Sequence, residues 1–419
     1  MPPRKAATTS TATPSTPKKG VSPLALARGA LSKILQDDTT VPLNDEMLMA
    51  SLPHITTGSL NLDYLIGGRP NQQGIRPCPG WPRGKISQLY GNAGAGKTTL
   101  ALTAAAHVCA NGGAVCYIDW ENEVDPRYAK ALGVPIGDPD HFVLEQPTTL
   151  EEGMKIMVQM AANGVDLIVL DSVGAGVPQD VYDRDQKEEG NATRPGLLAQ
   201  KWGQFLPKFK SIIAKSGTCV IGISQLRKTM NSMSGGGPDS APQGGEGWKF
   251  NASVRMMLRV FQKEKSKRFN AITGKAEEMV TGTIVVAKLD KCKVSDSVHH
   301  EQKFYLESGT GIDNARAVLD LAVTYGVITK GGAWYEWPGC PKGSLRGQGS
   351  DAMKKLLKSD PTYLGLLFNQ LSPKLGATPP PAAEVQVEED VLDDDLFDII
   401  PGSEKSAPAA SEDGEGEGA

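Results

Sequence analysis

Residues Gly91-Asn92-Ala93-Gly94-Ala95-Gly96-Lys97-Thr98 fit the pattern G-x-x-x-x-G-K-[ST], and that octet dictates much of the fold around it. A loop that wraps phosphates with its own backbone N–H groups needs glycines for the turn. It also needs a strand to enter by and a helix to leave by, the helix N-terminus adding partial positive charge. Both neighbours are present. Lys85-Ile86-Ser87-Gln88-Leu89-Tyr90 is strand-like, and Thr98–Ala110 is an alanine-rich helical run. In that setting the loop cradles the phosphates and Lys97 reaches the β and γ groups. The Thr98 hydroxyl ligates Mg²⁺, and Thr99 completes the nucleotide-binding set. ATP and Mg²⁺ are the expected cofactors.

A chain of 419 residues has length for two or three domains. With 39% hydrophobic and 22% charged residues it has the composition of a soluble globular protein. No apolar run approaches the length of a membrane span, and the N-terminus lacks a signal-peptide core, so a cytoplasmic location is expected. The six cysteines show no C-x-x-C pairing, and Cys116 and Cys219 fall in apolar strand-like runs, which favours buried free thiols. Charge is unevenly spread. From Glu384 onward, 13 Asp and Glu face one Lys, a local charge of −12, leaving the rest of the chain at +8. A mildly basic body with an acidic tail is compatible with nucleic-acid binding.

Between about residues 46 and 311 the pattern alternates. Strand-like runs at Ala114–Ile118, Asp166–Leu170, Thr218–Ile223 and Thr283–Ala287 are separated by helical stretches, notably Thr149–Asn163 and Leu197–Lys215. Alternation of this kind implies an α/β core with a largely parallel sheet covered on both faces. Glycine clusters predict a mobile, structureless loop of roughly twenty residues between Arg227 and Lys249, and loops that long tend to be functional or disordered. Residues 312–375 form a smaller α/β unit, with an amphipathic stretch at Ala317–Tyr325. Residues 1–21 read as a disordered basic segment. A short helix with Leu24, Ala27, Leu31, Ile34 and Leu35 on one face occupies 22–45 with its linker. That helix is too short to stand alone, so it packs on its own core or on a neighbouring subunit. Pro379-Pro380-Pro381 opens a linker, and 376–419 ends in the acidic tail.

Two acids complete an ATPase site. Val165-Asp166-Leu167-Ile168-Val169-Leu170-Asp171 is an apolar strand that delivers Asp171 to the carboxyl edge of a sheet, where it can hold Mg²⁺. A second strand ends in Asp119-Trp120-Glu121, and Glu121 suits the role of orienting the attacking water.

The strings Ile118-Asp119-Trp120-Glu121, Asp125-Pro126-Arg127-Tyr128-Ala129 and Leu132-Gly133-Val134 resemble the bacterial RecA recombinases. So do Thr57-Gly58-Ser59-Leu60, Ser224-Gln225-Leu226-Arg227, Trp248-Lys249-Phe250-Asn251-Ala252-Ser253-Val254-Arg255, Gly331-Gly332-Ala333-Trp334-Tyr335 and Gly347-Gln348-Gly349. The resemblance covers roughly residues 50–370 and implies a RecA-type P-loop ATPase core with a short N-terminal helix and a small C-terminal domain. It implies Glu121 as catalytic carboxylate with Lys97, Asp171 as the metal-associated acid, and Asp125 and Tyr128 at the adenine. It also implies Gln225 as the sensor of the γ-phosphate. In that family a K-x-K pair reaches the neighbouring subunit's nucleotide. Lys291-Cys292-Lys293 matches best, with Lys288 close enough to leave the register open. Phe250 is implied as an anchor inserted into the neighbour.

The same resemblance places single-stranded DNA against two loops. The first spans about Pro178 to Trp202, with Arg194-Pro195-Gly196 facing DNA. Gln200 stands where the family carries an arginine, and Lys201 is the candidate replacement. The second is the glycine-rich stretch with Arg227, Lys228, Gly244 and Gly245. Backbone amides and basic side chains hold phosphates without reading sequence. Lys342, Arg346, Lys354, Lys355 and Lys358 of the C-terminal unit are either a duplex-binding surface or a solvated face. Taken together these features imply a DNA-dependent ATPase that forms filaments of itself on single strands, finds homologous duplex and exchanges strands. The alternatives are a RecA-core hexameric helicase and a non-hydrolysing filament or mediator. The intact Lys97, Thr98, Glu121 and Asp171 set weighs against the mediator, and the K-F-x-A-S-V-R string against the helicase. The tail mixes acids with Leu396, Phe397, Ile399 and Ile400, so it docks on a replication or repair partner, docks on the body, or only solvates. Truncation after Ala383 is expected to strengthen duplex binding, most at low salt, because the tail competes with DNA phosphates for the basic body. A salt titration of duplex affinity checks this, and coincident curves would remove the tail from DNA control.

Overall fold

The computed structural model of the chain describes residues 50–186, 196–228, 240–270, 275–297 and 301–375. The expected N-terminal helix at 22–36, the segments 1–21 and 376–419, and Arg194 and Pro195 lie outside the described residues. Two short strands, β1 (His54–Ile55) and β2 (Trp81–Pro82), pair antiparallel on either side of helix α1 (Leu60–Gly67) in the sequence. Strand β3 (Ile86–Gly91) runs through the glycine loop into α2 (Lys97–Ala110). There follow β4 (Val115–Asp119), α3 (Pro126–Ala131), β5 (Phe142–Glu145), α4 (Leu150–Ala162) and β6 (Leu167–Asp171). Next come α5 (Gln179–Gln186), α6 (Leu197–Ser216), β7 (Cys219–Lys228), β8 (Ser240–Pro242) and α7 (Glu246–Asn251). A hairpin of β9 (Val254–Asn270) and β10 (Lys275–Cys292) leads to β11 (Glu301–Glu307) and β12 (Gly311–Ile312). The C-terminal unit holds α8 (Asn314–Thr324), β13 (Thr329–Gly331), β14 (Trp334–Trp337), β15 (Leu345–Gln348), α9 (Ser350–Lys358) and α10 (Pro361–Leu375).

The ten strands β3 to β12 form one sheet. Its order is β12-β11-β10-β9-β3-β7-β6-β4-β5, with β8 beside β7. From β5 through β9 every neighbour along that order is parallel, and from β9 to β12 every one is antiparallel. Strand alternation splits the core into two layers. Tyr117, Leu167 and Val169 face the cluster under α2, whereas Cys116, Ile118, Ile168 and Leu170 face the cluster under α4 and α6. Each such aliphatic side chain stabilises the fold by about 1.5–3 kcal/mol on full burial. Helix α6 shows why its sequence is helical: Trp202, Leu206, Phe209 and Ile213 recur on one buried stripe. Helix α4 begins at a capping box in which Thr149 Oγ1 accepts from the Glu152 amide and Glu152 Oε2 accepts from the Thr149 amide.

Helix α1 joins the core to the C-terminal unit. Its Leu62, Leu65 and Ile66 belong to the α2-side cluster, while Leu60 and Tyr64 pack against the cluster of Leu319, Trp337, Met353 and Leu367. The connection from Gly67 to Arg83 reinforces that joint. Arg76, only 4% exposed, lies 3.7 Å from the centroid of the Tyr64 ring and donates to Gly68 O, and the Tyr64 hydroxyl meets that of Tyr325. All six cysteines are free, and five are buried. Burial pushes the Cys78 and Cys116 thiols up to about 12.

Two expectations need correction. The connection between Arg227 and Lys249 is not one structureless loop, because β7 extends through Lys228 and residues 240–249 supply β8 and most of α7. The strand expected at Thr283–Ala287 is the middle of an 18-residue strand paired with a 17-residue one.

Candidate active site

The site forms at the carboxyl edge of the parallel strands, where register brings its parts together. Gly91 at the end of β3 pairs with Gln225 on β7, and Asp119 on β4 pairs with Asp171 on β6. The glycine loop then delivers α2 with no side-chain cap at its N-terminus, so its first N–H groups remain free to bind an anion. Gly96 is required there. It adopts φ 79°, and a Cβ would lie 2.4 Å from Leu306 Cδ1. Lys97 is buried and folds back on the loop, donating to Gly91 O at 3.0 Å and Asn92 O at 2.9 Å. Burial lowers its pKa, against the attraction of Asp171 and Glu121.

Thr98 Oγ1 donates to Asp171 Oδ2 at 2.8 Å. Burial raises the pKa of Asp171, although the hydroxyls of Tyr117 and Thr98 both favour its charged form. A divalent cation reverses that cost. Two hard oxygen donors beside a phosphate loop also fit Mg²⁺, which binds through one or two protein oxygens plus substrate phosphates. Among the described residues no group of three or more His, Cys, Asp or Glu is arranged to hold a metal.

Glu121 is held by two donors. Gln225 Nε2 reaches its Oε1 at 3.0 Å and its Oε2 at 3.2 Å, and the hydroxyl of buried Ser172 donates to Oε1. Asp119 serves a different purpose: its carboxylate accepts from the amides of Glu121 at 3.0 Å and Val124 at 3.2 Å, shaping the turn that carries Glu121. Asp125 caps α3 by accepting from the Arg127 amide at 2.8 Å. The Tyr128 hydroxyl lies 2.9 Å from Thr99 Oγ1, at the start of α2. Sequence reasoning singled out neither Ser172 nor Tyr117. Ser172 follows Asp171 directly, and Tyr117 is a polar tip in an apolar strand that needs a partner once buried.

Ser172→Ala is expected to lower ATP turnover by about tenfold at unchanged nucleotide affinity, since a hydrogen bond to a charged group contributes about 1.5–3 kcal/mol. Steady-state hydrolysis alongside equilibrium nucleotide binding checks it, and an unchanged rate would remove Ser172 from the site.

Of the residues expected to face DNA, the structure brings Gly196, Arg227, Gly244 and Gly245 around one cavity of about 290 Å³. Gly245, at φ 82°, approaches so closely that a Cβ would lie 2.3 Å from Ala199 Cβ on α6. Lys228 pairs with Ser240 through the backbone. Lys201 stands in ion pairs with Glu151 at 2.8 Å and Asp180 at 3.6 Å. In the C-terminal unit Lys342 pairs with Asp360, Lys354 with Asp313 at 2.8 Å and Lys358 with Glu307 at 3.1 Å.

Helix α7 divides its two aromatics. Trp248 is fully buried against Trp202, with ring centroids 5.1 Å apart, while Phe250 is 68% exposed. Lys291 braces that end of the helix, donating to Lys249 O at 2.6 Å and Phe250 O at 3.0 Å. Its pKa is lowered by burial and by Lys293, Arg255 and Lys210. Lys288 pairs with Asp290 at 3.8 Å.

Comparison with known proteins agrees with this architecture. The family model of the RecA N-terminal domain matches residues 24–312, and that of the RecA C-terminal domain matches residues 316–376. Protein RecA of Lactobacillus delbrueckii subsp. bulgaricus is 32% identical over 367 residues, which cover 87% of this chain and 90% of that one. Protein RecA of Chlorobaculum parvum is 34% identical over 358 residues, covering 85% and 93%. Protein RecA of Staphylococcus aureus is 33% identical over 326 residues, covering 77% and 83%. With both domain models matched in order and relatives aligned over most of their length, the chain belongs to the RecA family.

Proposed function

We propose that this chain is an ATP-dependent recombinase of DNA repair, which polymerises on single-stranded DNA and exchanges strands with homologous duplex. The observation that carries the reading is Glu121, held by Gln225 and Ser172 across the sheet edge from Lys97, Thr98 and Asp171. ATP is the substrate. Lys97 and the loop amides hold its phosphates, and Asp125 and Tyr128 border its base. Mg²⁺ held by Thr98 and Asp171 would neutralise charge on the β and γ phosphates. Glu121 orients the attacking water and takes its proton.

Gln225 couples the nucleotide to DNA. Its amide holds Glu121, and it lies two residues before Arg227 on the same strand. A γ-phosphate that draws the amide away shifts that strand end and the DNA-facing surface beyond it. Gly196, Arg227, Lys228, Gly244 and Gly245 contact the DNA backbone, together with Arg194 and Pro195, which precede Gly196 in the chain, and with Lys201 as a further contact once its ion pairs open. Lys291 and Lys293 reach the nucleotide of the adjacent subunit, and Phe250 anchors the contact. No helix among the described residues is long and apolar enough to cross a membrane, and the cytoplasm is the proposed location.

Hydrolysis of ATP by purified protein, with and without single-stranded DNA, tests the reading. Strong stimulation by single strands is expected, and a DNA-independent rate would overturn it.

A further inference from the structure

Tyr117 lies in the middle of β4 with no exposed surface. Its ring sits in the cluster under α2, 6.4 Å from that of Phe142 between centroids. Packing alone asks only for an aromatic ring in this slot. The hydroxyl is the extra atom, and a buried phenol needs a partner. That partner is Asp171: Tyr117 donates to Oδ2 at 2.7 Å, the same oxygen that accepts from Thr98 at 2.8 Å. Strand register explains the reach, because Tyr117 pairs with Val169, two residues before Asp171 on neighbouring β6.

Two donors converging on one oxygen pin a carboxylate that would otherwise turn about its Cβ–Cγ bond. One donor is a rigid ring locked in the core, and the other is the hydroxyl at the start of α2. With its proton committed to a fixed acceptor, the Thr98 oxygen keeps its lone pairs for the mouth of the glycine loop. We infer that Tyr117 is a positioning residue for the divalent cation, fixing Asp171 so that the Thr98 oxygen faces Mg²⁺. This rests on the proposed nucleotide–Mg²⁺ reading of the site. Groups that orient metal-binding side chains typically contribute 10–100-fold to metal affinity. The competing explanation is that Asp171 only satisfies the phenol, in which case its loss changes stability and not metal dependence.

The test is Tyr117→Phe in the full chain, with Mg²⁺ titrated against equilibrium binding of a fluorescent, non-hydrolysable ATP analogue. The Mg²⁺ concentration for half-maximal binding should rise about tenfold, with analogue affinity at saturating Mg²⁺ unchanged. Phe142→Leu loosens the same cluster without touching Asp171, and its Mg²⁺ curve should match wild type. Coincident curves for Tyr117→Phe and wild type would overturn the inference, as would an equal shift in Phe142→Leu. A wild-type protein whose analogue binding ignores Mg²⁺ would instead remove the underlying site, and the inference with it.

Discussion

Glu121→Gln is expected to bind ATP with wild-type affinity and to hydrolyse it about 10²–10⁴-fold more slowly, the usual contribution of a general base. The amide preserves the volume and can still meet Gln225 and Ser172, which hold the carboxylate from two sides. What it lacks is a basic oxygen for the water proton. Lys97, Thr98 and Asp171 are untouched, so nucleotide binding and its Mg²⁺ dependence persist. Single-turnover hydrolysis on single-stranded DNA, beside an equilibrium binding curve, separates the two effects. A rate near wild type would reassign the base, and Asp119 would be a poor successor because both its oxygens are occupied by backbone amides.

Phe250→Ala should abolish filament growth while leaving the monomer intact. The side chain is 68% exposed, so its removal takes little from the fold. Trp248, fully buried on the same helix, holds α7 in place without it. At an interface, truncating a large aromatic anchor costs about 2–4 kcal/mol, or roughly 30- to 1000-fold in affinity at about 1.4 kcal/mol per tenfold. The loss recurs at each junction of a filament. Light scattering with ATP and single-stranded DNA should show no growth, and thermal melting should match wild type. Normal growth would show that Phe250 is not the anchor.

The parts of this fold that obey local rules were legible from residues alone. The glycine octet named its strand and helix, and the helical stretch expected at Thr149–Asn163 matches α4 to within one residue at each end. The stretch expected at Leu197–Lys215 likewise falls one residue short of the end of α6. The long hairpin was not legible. Its outer half, from Lys263 to Arg268, carries mostly charged residues, and a strand with no face to bury shows no alternation to read. The glycine-rich connection hid β8 and α7 for a related reason, since both are short and depend on tertiary partners such as β7 and Ala199.

The candidate site divides along the same line. Lys97, Thr98, Glu121 and Asp171 stand in local strings whose chemistry can be stated from sequence. The hydroxyls that aim the acids cannot be recognised that way, because Ser172 lies 51 positions from Glu121 and Tyr117 lies 54 from Asp171. Only the sheet brings them together. Lys201 is the converse case, a cation that looks free in sequence and is paired with Glu151 and Asp180 in the fold.

Strand exchange tests the central claim most directly. Purified full-length protein is incubated with ATP, Mg²⁺, circular single-stranded DNA and homologous linear duplex, and the products are separated by gel. The account predicts joint molecules and then nicked circles that depend on homology and ATP, together with long filaments on the single strand. Unwinding of a non-homologous partial duplex without joint molecules, by a ring of fixed size, would contradict it.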